Sequence, residues 1–373
     1  MIYFDNAATT YPKPPSVIKA MNNALISCGN PGRGGHELGR NAERIMYDCR
    51  VEAAELFGLD DEMKIAFTHN ATHALNLAIK STMQDGGHAV TGGFEHNSAI
   101  RPLEAMENVE YDIAYSELFN EEDAIRQISS KIRPDTKCVV LNHISNVFGN
   151  ELPIYKIDDL CSKKGIDLIL DISQSAGAEK INAGDFKAVR FMCMPGHKGL
   201  YGPSGTGILA CCKEDKLYSI IQGGTGSNSG DLTQPDFLPD IFESGTQNFI
   251  GIAGLLASIR FVKGRESEIS EHKRNLIRLF NEEMADEKKL KVFYSDRQKS
   301  LVSISANERN DDLFEYLCQK GICTRNGLHC AVTAHKSGHT EDFGTIRISF
   351  SAFNTEDEVK KLSEILKKYL KSL

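Results

Sequence analysis

Between about residues 60 and 255, short apolar runs alternate with amphipathic stretches, and this alternation constrains the fold more than any other feature. Strands separated by helical segments are the pattern of βαβ units, because parallel neighbours need a crossover long enough to hold a helix. The runs Lys64–Thr68, His88–Thr91, Tyr111–Tyr115, Cys138–His143, Asp167–Asp171, Arg190–Met194 and Thr206–Ala210 predict strands. Thr72–Ser81, Glu121–Ile132 and Ile154–Lys164 predict helices between them. Further on, Ile252–Asp286 reads as one long helix, followed by strands near Lys291–Phe293, Leu301–Ser305 and Thr345–Ser349. A last helix is expected from Glu356 to Leu370, with a capping box at Thr355-Glu-Asp-Glu358. A chain of 373 residues exceeds one small core. The expectation is α/β: a large domain at 15–255 on a seven-stranded, mainly parallel sheet, with 1–14 and 256–373 forming a smaller α+β domain.

In open α/β sheets, ligands sit beyond the carboxyl ends of the strands. Asp171 closes the run Asp-Leu-Ile-Leu-Asp, and Gln174 follows three residues later. Lys198 stands in Pro195-Gly-His-Lys-Gly199 after Phe-Met-Cys-Met, leading into a glycine-rich turn. An acid for a pyridine nitrogen, an amine for an aldehyde and donors for a phosphate are what pyridoxal phosphate requires. Alone, Asp171 is equally a helix N-cap or turn residue and Lys198 a surface-turn lysine. In a desolvated pocket, however, a lysine loses its proton more readily and becomes a nucleophile.

Other strand ends carry related chemistry. His197 is placed to donate to a phosphate. Phe-Thr-His-Asn-Ala71-Thr72 reads as a strand entering a helix, whose free N–H groups and Thr72 hydroxyl make a phosphate seat. His96, in Glu95-His-Asn-Ser98, is either a ring-stacking residue or a polar loop histidine, and Asn146 lies past another strand end. Cys330, in Arg325-Asn-Gly-Leu-His-Cys-Ala, is either an exposed reactive thiol or one packing cysteine among ten. Arg347, flanked by apolar neighbours, is either half of a buried ion pair or a clamp for a substrate carboxylate.

Composition narrows the partners. A formal charge of -8 leaves no basic excess for nucleic acid or an acidic membrane surface. No signal-peptide pattern opens the chain, and no run of about 18 apolar residues predicts a membrane span. Ten cysteines without a secretion signal read as reduced thiols in the cytoplasm, and their spacings predict no metal site. No Gly-x-Gly-x-x-Gly follows the first strand, which disfavours a nicotinamide enzyme.

Together these residues resemble the class V, fold-type I pyridoxal phosphate enzymes, and within them the cysteine desulfurase and selenocysteine lyase family. The resemblance runs from Tyr3-Phe-Asp-Asn-Ala-Ala through Glu95-His96, Asp171-x-x-Gln174 and Gly196-His-Lys-Gly-Leu-Tyr-Gly-Pro203. It continues through Phe242-Glu-Ser-Gly-Thr-Gln-Asn248 to Arg325-x-Gly-x-His-Cys-Ala and Arg347-Ile-Ser. The resemblance implies that Lys198 carries the cofactor and moves the substrate Cα proton. By the same likeness Asp171 meets the pyridine nitrogen, Gln174 the ring oxygen and His96 the ring face. Ala71, Thr72 and His197 would bind phosphate, and Thr246 would reach the neighbour's phosphate across a homodimer. Asn146 would serve cofactor and substrate, Arg325 and Arg347 the substrate, and Cys330 would receive sulfur as a persulfide.

The implied reaction converts L-cysteine to L-alanine and passes sulfur to an acceptor protein. L-selenocysteine or cysteine sulfinate as substrate, and a low-turnover binding role in a sulfur-transfer assembly, are the alternatives. Pro195 replaces the serine common before Gly-His-Lys, Ala71 replaces a common first threonine, and Leu328 replaces a histidine. Val332-Thr333 and the glycine-rich Gly223–Ser229 also depart from the pattern, and such changes bear on substrate and acceptor preference.

Overall fold

Each predicted strand of the alternation is a strand in the structure, a computed structural model that describes residues 1–32 and 35–372. The chain opens with β1 (Ile2–Tyr3), α1 (Pro15–Ser27) and α2 (Glu37–Phe57), which lie ahead of the alternation. Next come β2 (Ile65–Thr68), α3 (Ala71–Thr82), β3 (Gly87–Gly92), α4 (Asn97–Glu104), β4 (Val109–Ala114) and α5 (Glu121–Lys131). They are followed by β5 (Thr136–Asn142), α6 (Ile154–Lys164), β6 (Asp167–Asp171), β7 (Val189–Pro195) and β8 (Gly207–Cys211).

The seven strands β2 to β8 form one sheet in the order β2-β8-β7-β6-β5-β3-β4. Every pairing from β7 through β4 is parallel, and β8 alone runs against its neighbours β7 and β2. Alternating side chains feed two cores, as the strand's period of two requires. Val139, Leu141, Leu168 and Leu170 enter one core, and Cys138, Val140 and Ile169 enter the other. Helices therefore cover both faces and leave the strand ends as the place for a site.

Residues 252–286 are two helices, α7 (Phe249–Val262) and α8 (Glu266–Met284), where one was predicted. Gly264 has φ +78, a left-handed conformation that ends the first helix and turns the chain. α7 packs on α1 and α2, whereas α8 packs on β10 (Leu301–Ser305) and the C-terminal helix. A four-stranded sheet joins β9 (Lys291–Phe293), β10, β12 (Arg325–Gly327) and β13 (Thr345–Ser349). Between β10 and β12 lie α9 (Asn310–Gln319) and β11 (Ile322–Cys323), which pairs with β1. After β12 come α10 (Val332–Gly338) and, past β13, α11 (Glu356–Lys371). Phe4 joins Leu276, Phe280, Ile304 and Ile348 in a third core, so the N-terminus is tied to the C-terminal part. The capping box forms: Glu358 N–H donates to Thr355 Oγ1, and Thr355 N–H donates to Glu358 Oε2 at 3.1 Å. Among the described residues, no helix is long and apolar enough to cross a membrane.

Candidate active site

Because β2, β3, β5, β6 and β7 run the same way, their carboxyl ends share one edge of the sheet. A cavity of about 210 Å³ opens there. It collects Ala71 and Thr72 after β2, His96 after β3, Asn146 after β5, Asp171 and Gln174 from β6, and His197 and Lys198 after β7. Arg325, Cys330 and Arg347 close it from the four-stranded sheet and its loop. Thr246 is the one predicted residue that does not line it, standing exposed on the loop before α7.

The turn bearing Lys198 packs unusually tightly on the turn after Asp171. A Cβ on Gly199 would lie 2.2 Å from Ala176 O, and one on Gly177 would lie 2.3 Å from Gly199 O. Gly177 also has φ +76, so glycine is required there for both space and conformation. The N-terminal loop holds the same turn from the other side. Thr10 N–H donates to His197 O at 3.0 Å, and Lys13 Nζ donates to that oxygen at 2.9 Å.

Burial drives Lys198 down to about 8, opposed by Asp171 and assisted by Arg347 and Arg325. The neutral amine that nucleophilic chemistry needs is therefore available near neutral pH. Asp171 Oδ1 accepts from Ser173 N–H at 2.9 Å, and among the described residues no donor meets its second oxygen. Gln174 Nε2 donates to Ala7 O at 3.1 Å, which fixes the amide beside the cavity.

His96 is half of a short relay. Its Nδ1 accepts from Ser98 N–H at 3.1 Å and lies 2.8 Å from Ser98 Oγ, which lies 2.7 Å from Thr72 Oγ1. An acceptor Nδ1 places the ring proton on Nε2. Burial, helped by Lys198, holds the imidazole at about 4, so it is neutral at physiological pH. Nothing in the sequence marks Ser173, and Ser98 is marked only by closing the Glu95-His-Asn-Ser segment. Glu95 next door is fully buried, its carboxyl raised well above the usual range by burial, and it accepts from Asn142 N–H at 3.0 Å.

On the opposite wall, Arg347 is half of a buried ion pair and stands in the cavity lining. Nη2 meets Asp5 Oδ1 at 2.9 Å and Nη1 donates to Asn146 O at 2.9 Å. Cys330 is exposed and left-handed (φ 57), and the buried His329 before it is left-handed too (φ 49). Two such non-glycine residues in succession need outside support. Asn97 N–H donates to Cys330 O at 2.8 Å, Asn146 Nδ2 donates to His329 O at 2.9 Å, and His329 Nε2 donates to Thr345 O at 3.0 Å.

The donor set fits a phosphorylated, amine-reactive aromatic cofactor. Among the described residues, Asn146 Oδ1, His197 Nδ1 and Arg347 Nε are buried without a partner, although buried polar atoms normally have one. The first backbone N–H groups of the twelve-residue helix α3 face the same space at Ala71 and Thr72.

The family model described as aminotransferase class-V matches residues 2–362. A protein named probable cysteine desulfurase from Pyrococcus abyssi is 29% identical over 391 residues, covering 100% of this chain and 95% of the relative. Cysteine desulfurase IscS from Pseudoalteromonas translucida is 28% identical, covering 98% of this chain and 92% of its own length. Among solved structures, an apo cysteine desulfurase from Thermococcus onnurineus NA1 superposes with a TM-score of 0.90 at 26% identity, covering 100% of this chain and 95% of that one. CsdA from Escherichia coli, at 22% identity and a TM-score of 0.86, shares the fold.

Proposed function

The chain belongs to the class V aminotransferase family, and from that premise we propose that it is a pyridoxal-phosphate-dependent cysteine desulfurase. The observation that carries this reading is the placement of Cys330 on the wall of the cavity that also holds Lys198 and Asp171. When bound, pyridoxal phosphate supplies an electrophilic carbon for amines and an electron sink for charge at Cα.

The protein's own groups take the remaining tasks. Lys198 Nζ, neutral in a large fraction near pH 8, takes the proton from the substrate Cα. Asp171 would hold a proton on the pyridine nitrogen and Gln174 would bind the ring oxygen of that cofactor. His96, neutral, would meet its ring face. The α3 N-terminus at Ala71 and Thr72, with His197, would seat its phosphate. Arg347, Arg325 and Asn146 orient the substrate carboxylate. Cys330 thiolate forms an S–S bond to the substrate sulfur as the Cβ–S bond breaks. The bonding pair stays on Cβ, which gains a proton, and Lys198 returns a proton to Cα, so L-cysteine leaves as L-alanine and Cys330 keeps a persulfide.

An exposed Cys330 favours sulfur over L-selenocysteine or cysteine sulfinate, whose release needs no protein thiol. Exposed Thr246 suits a homodimer in which it completes the neighbour's phosphate site. We infer two domains, 15–255 against 1–14 with 256–373, with α7 extending the packing of the first past 255. A cytoplasmic location suits ten free cysteines, and a sulfur-acceptor protein is the expected partner. The test is mass spectrometry after L-cysteine treatment. One extra sulfur on the Cys330 peptide, absent in Lys198→Ala, is expected; alanine formation that persists unchanged in Cys330→Ala would refute the persulfide route.

A further inference from the structure

Cys330 faces two spaces. Besides the inner cavity, it lines an outer cleft of about 310 Å³ between α3 and α4. Thr72, His96, Ser98 and Cys330 line both, so the relay and the thiol together form the partition. The far side of the cleft carries Lys80 from the last turn of α3 and Arg101 from α4. Neither cation makes an ion pair or side-chain hydrogen bond among the described residues. By contrast Arg347 and Lys13, near the same sheet edge, are engaged.

We propose that this outer cleft is the acceptor site for a small carboxylate-bearing thiol, which discharges the persulfide on Cys330. The proposal rests on the persulfide reading above. Unpaired cations in a concave site attract anions and raise their local concentration, and the cleft is of small-ligand size. Lys80 and Arg101 hold the acceptor's carboxylates while its thiolate attacks the outer sulfur of the Cys330 persulfide. One S–S bond forms as the other breaks, and the electron pair returns to Cys330 Sγ. The acceptor thiol is oxidised to a perthiol and Cys330 is reduced to a thiolate by the same two electrons. Inner cavity and outer cleft thus serve loading and unloading of one sulfur from opposite sides.

The experiment uses holoenzyme loaded with L-cysteine, desalted, and mixed with mercaptosuccinate, neutral 2-mercaptoethanol or cationic cysteamine. Loss of the extra sulfur from the Cys330 peptide is followed by mass spectrometry. Lys80→Gln with Arg101→Gln should slow discharge to mercaptosuccinate about tenfold at low salt, with the difference fading as salt rises. Discharge to 2-mercaptoethanol should change less than about twofold. Lys80→Glu with Arg101→Glu should invert the preference toward cysteamine. Equal discharge of all three thiols by every variant, with loading intact, overturns the cleft assignment and leaves the desulfurase reading standing. If wild-type Cys330 never gains sulfur, the loading arm shows that the desulfurase reading itself, and the cleft with it, has failed.

Discussion

Arg347 and Asp5, 342 residues apart in sequence, form an ion pair at 2.9 Å, and Arg347 lines the cavity that also holds Lys198. The second nitrogen of the guanidinium is taken by Asn146 O, so the side chain is aligned before any ligand arrives. The pair is almost wholly removed from solvent on the arginine side, and a lone charge left there would be costly.

Arg347→Lys keeps the charge but loses the planar fork, leaving Asp5 or Asn146 O without its donor. KM for L-cysteine is expected to rise about 10- to 100-fold with kcat changed far less. Steady-state kinetics check this, and an unchanged KM would remove Arg347 from substrate binding.

Lys198 sits near 8 because burial outweighs the pull of Asp171. Reconstitution of the apo-protein with pyridoxal phosphate should therefore speed up with pH and level off above about 8, since only the neutral amine reacts. A rate still climbing toward pH 10, followed by the visible absorbance band, would mean that the lysine is not desolvated in solution.

His96, His197 and His335 are each held at about 4, mainly by burial. Between pH 6.5 and 4 the unfolded chain binds more protons at these positions than the native one. Their contribution to stability is thus intact above 6.5 and is lost as pH falls toward 4. Thermal unfolding should show Tm dropping across this window, and a flat Tm from 7 to 4.5 would contradict buried neutral histidines.

Gly199→Ala puts a methyl carbon 2.2 Å from Ala176 O, which the two turns can accept only by separating. A stability loss on the order of 1–3 kcal/mol is expected, together with weaker cofactor binding as Lys198 moves away from Asp171. Denaturant unfolding and cofactor titration measure both, and wild-type values for each would show that the contact is not tight.

Ser98→Ala cuts the link between Thr72 Oγ1 and His96 Nδ1 while keeping the backbone bond to the ring. Cofactor affinity should fall several-fold, with Thr72 losing its orienting partner, for a net cost of about 1 kcal/mol. Dialysis equilibrium of the holoenzyme tests it, and undiminished affinity would make the relay irrelevant to phosphate seating.

The sequence alone determined the elements and much of the cavity lining, because both leave local marks. Buried parallel strands such as Val139–Leu141 and Leu168–Leu170 must be apolar throughout, and parallel order sends their carboxyl ends to one edge. Asp171, Lys198, His96 and Asn146 could therefore be named from position at a strand end. The break at Gly264, a glycine with left-handed φ, is a local signal that apolar periodicity passes over, whereas the rest was left to tertiary structure. It decided that Asp5 pairs with Arg347, that Ser98 joins Thr72 to His96, and that Cys330 lies between two spaces. Those relationships bring together groups from separate strands and from opposite ends of the chain. No periodicity records them, since they are set by how two cores pack rather than by how any one segment folds.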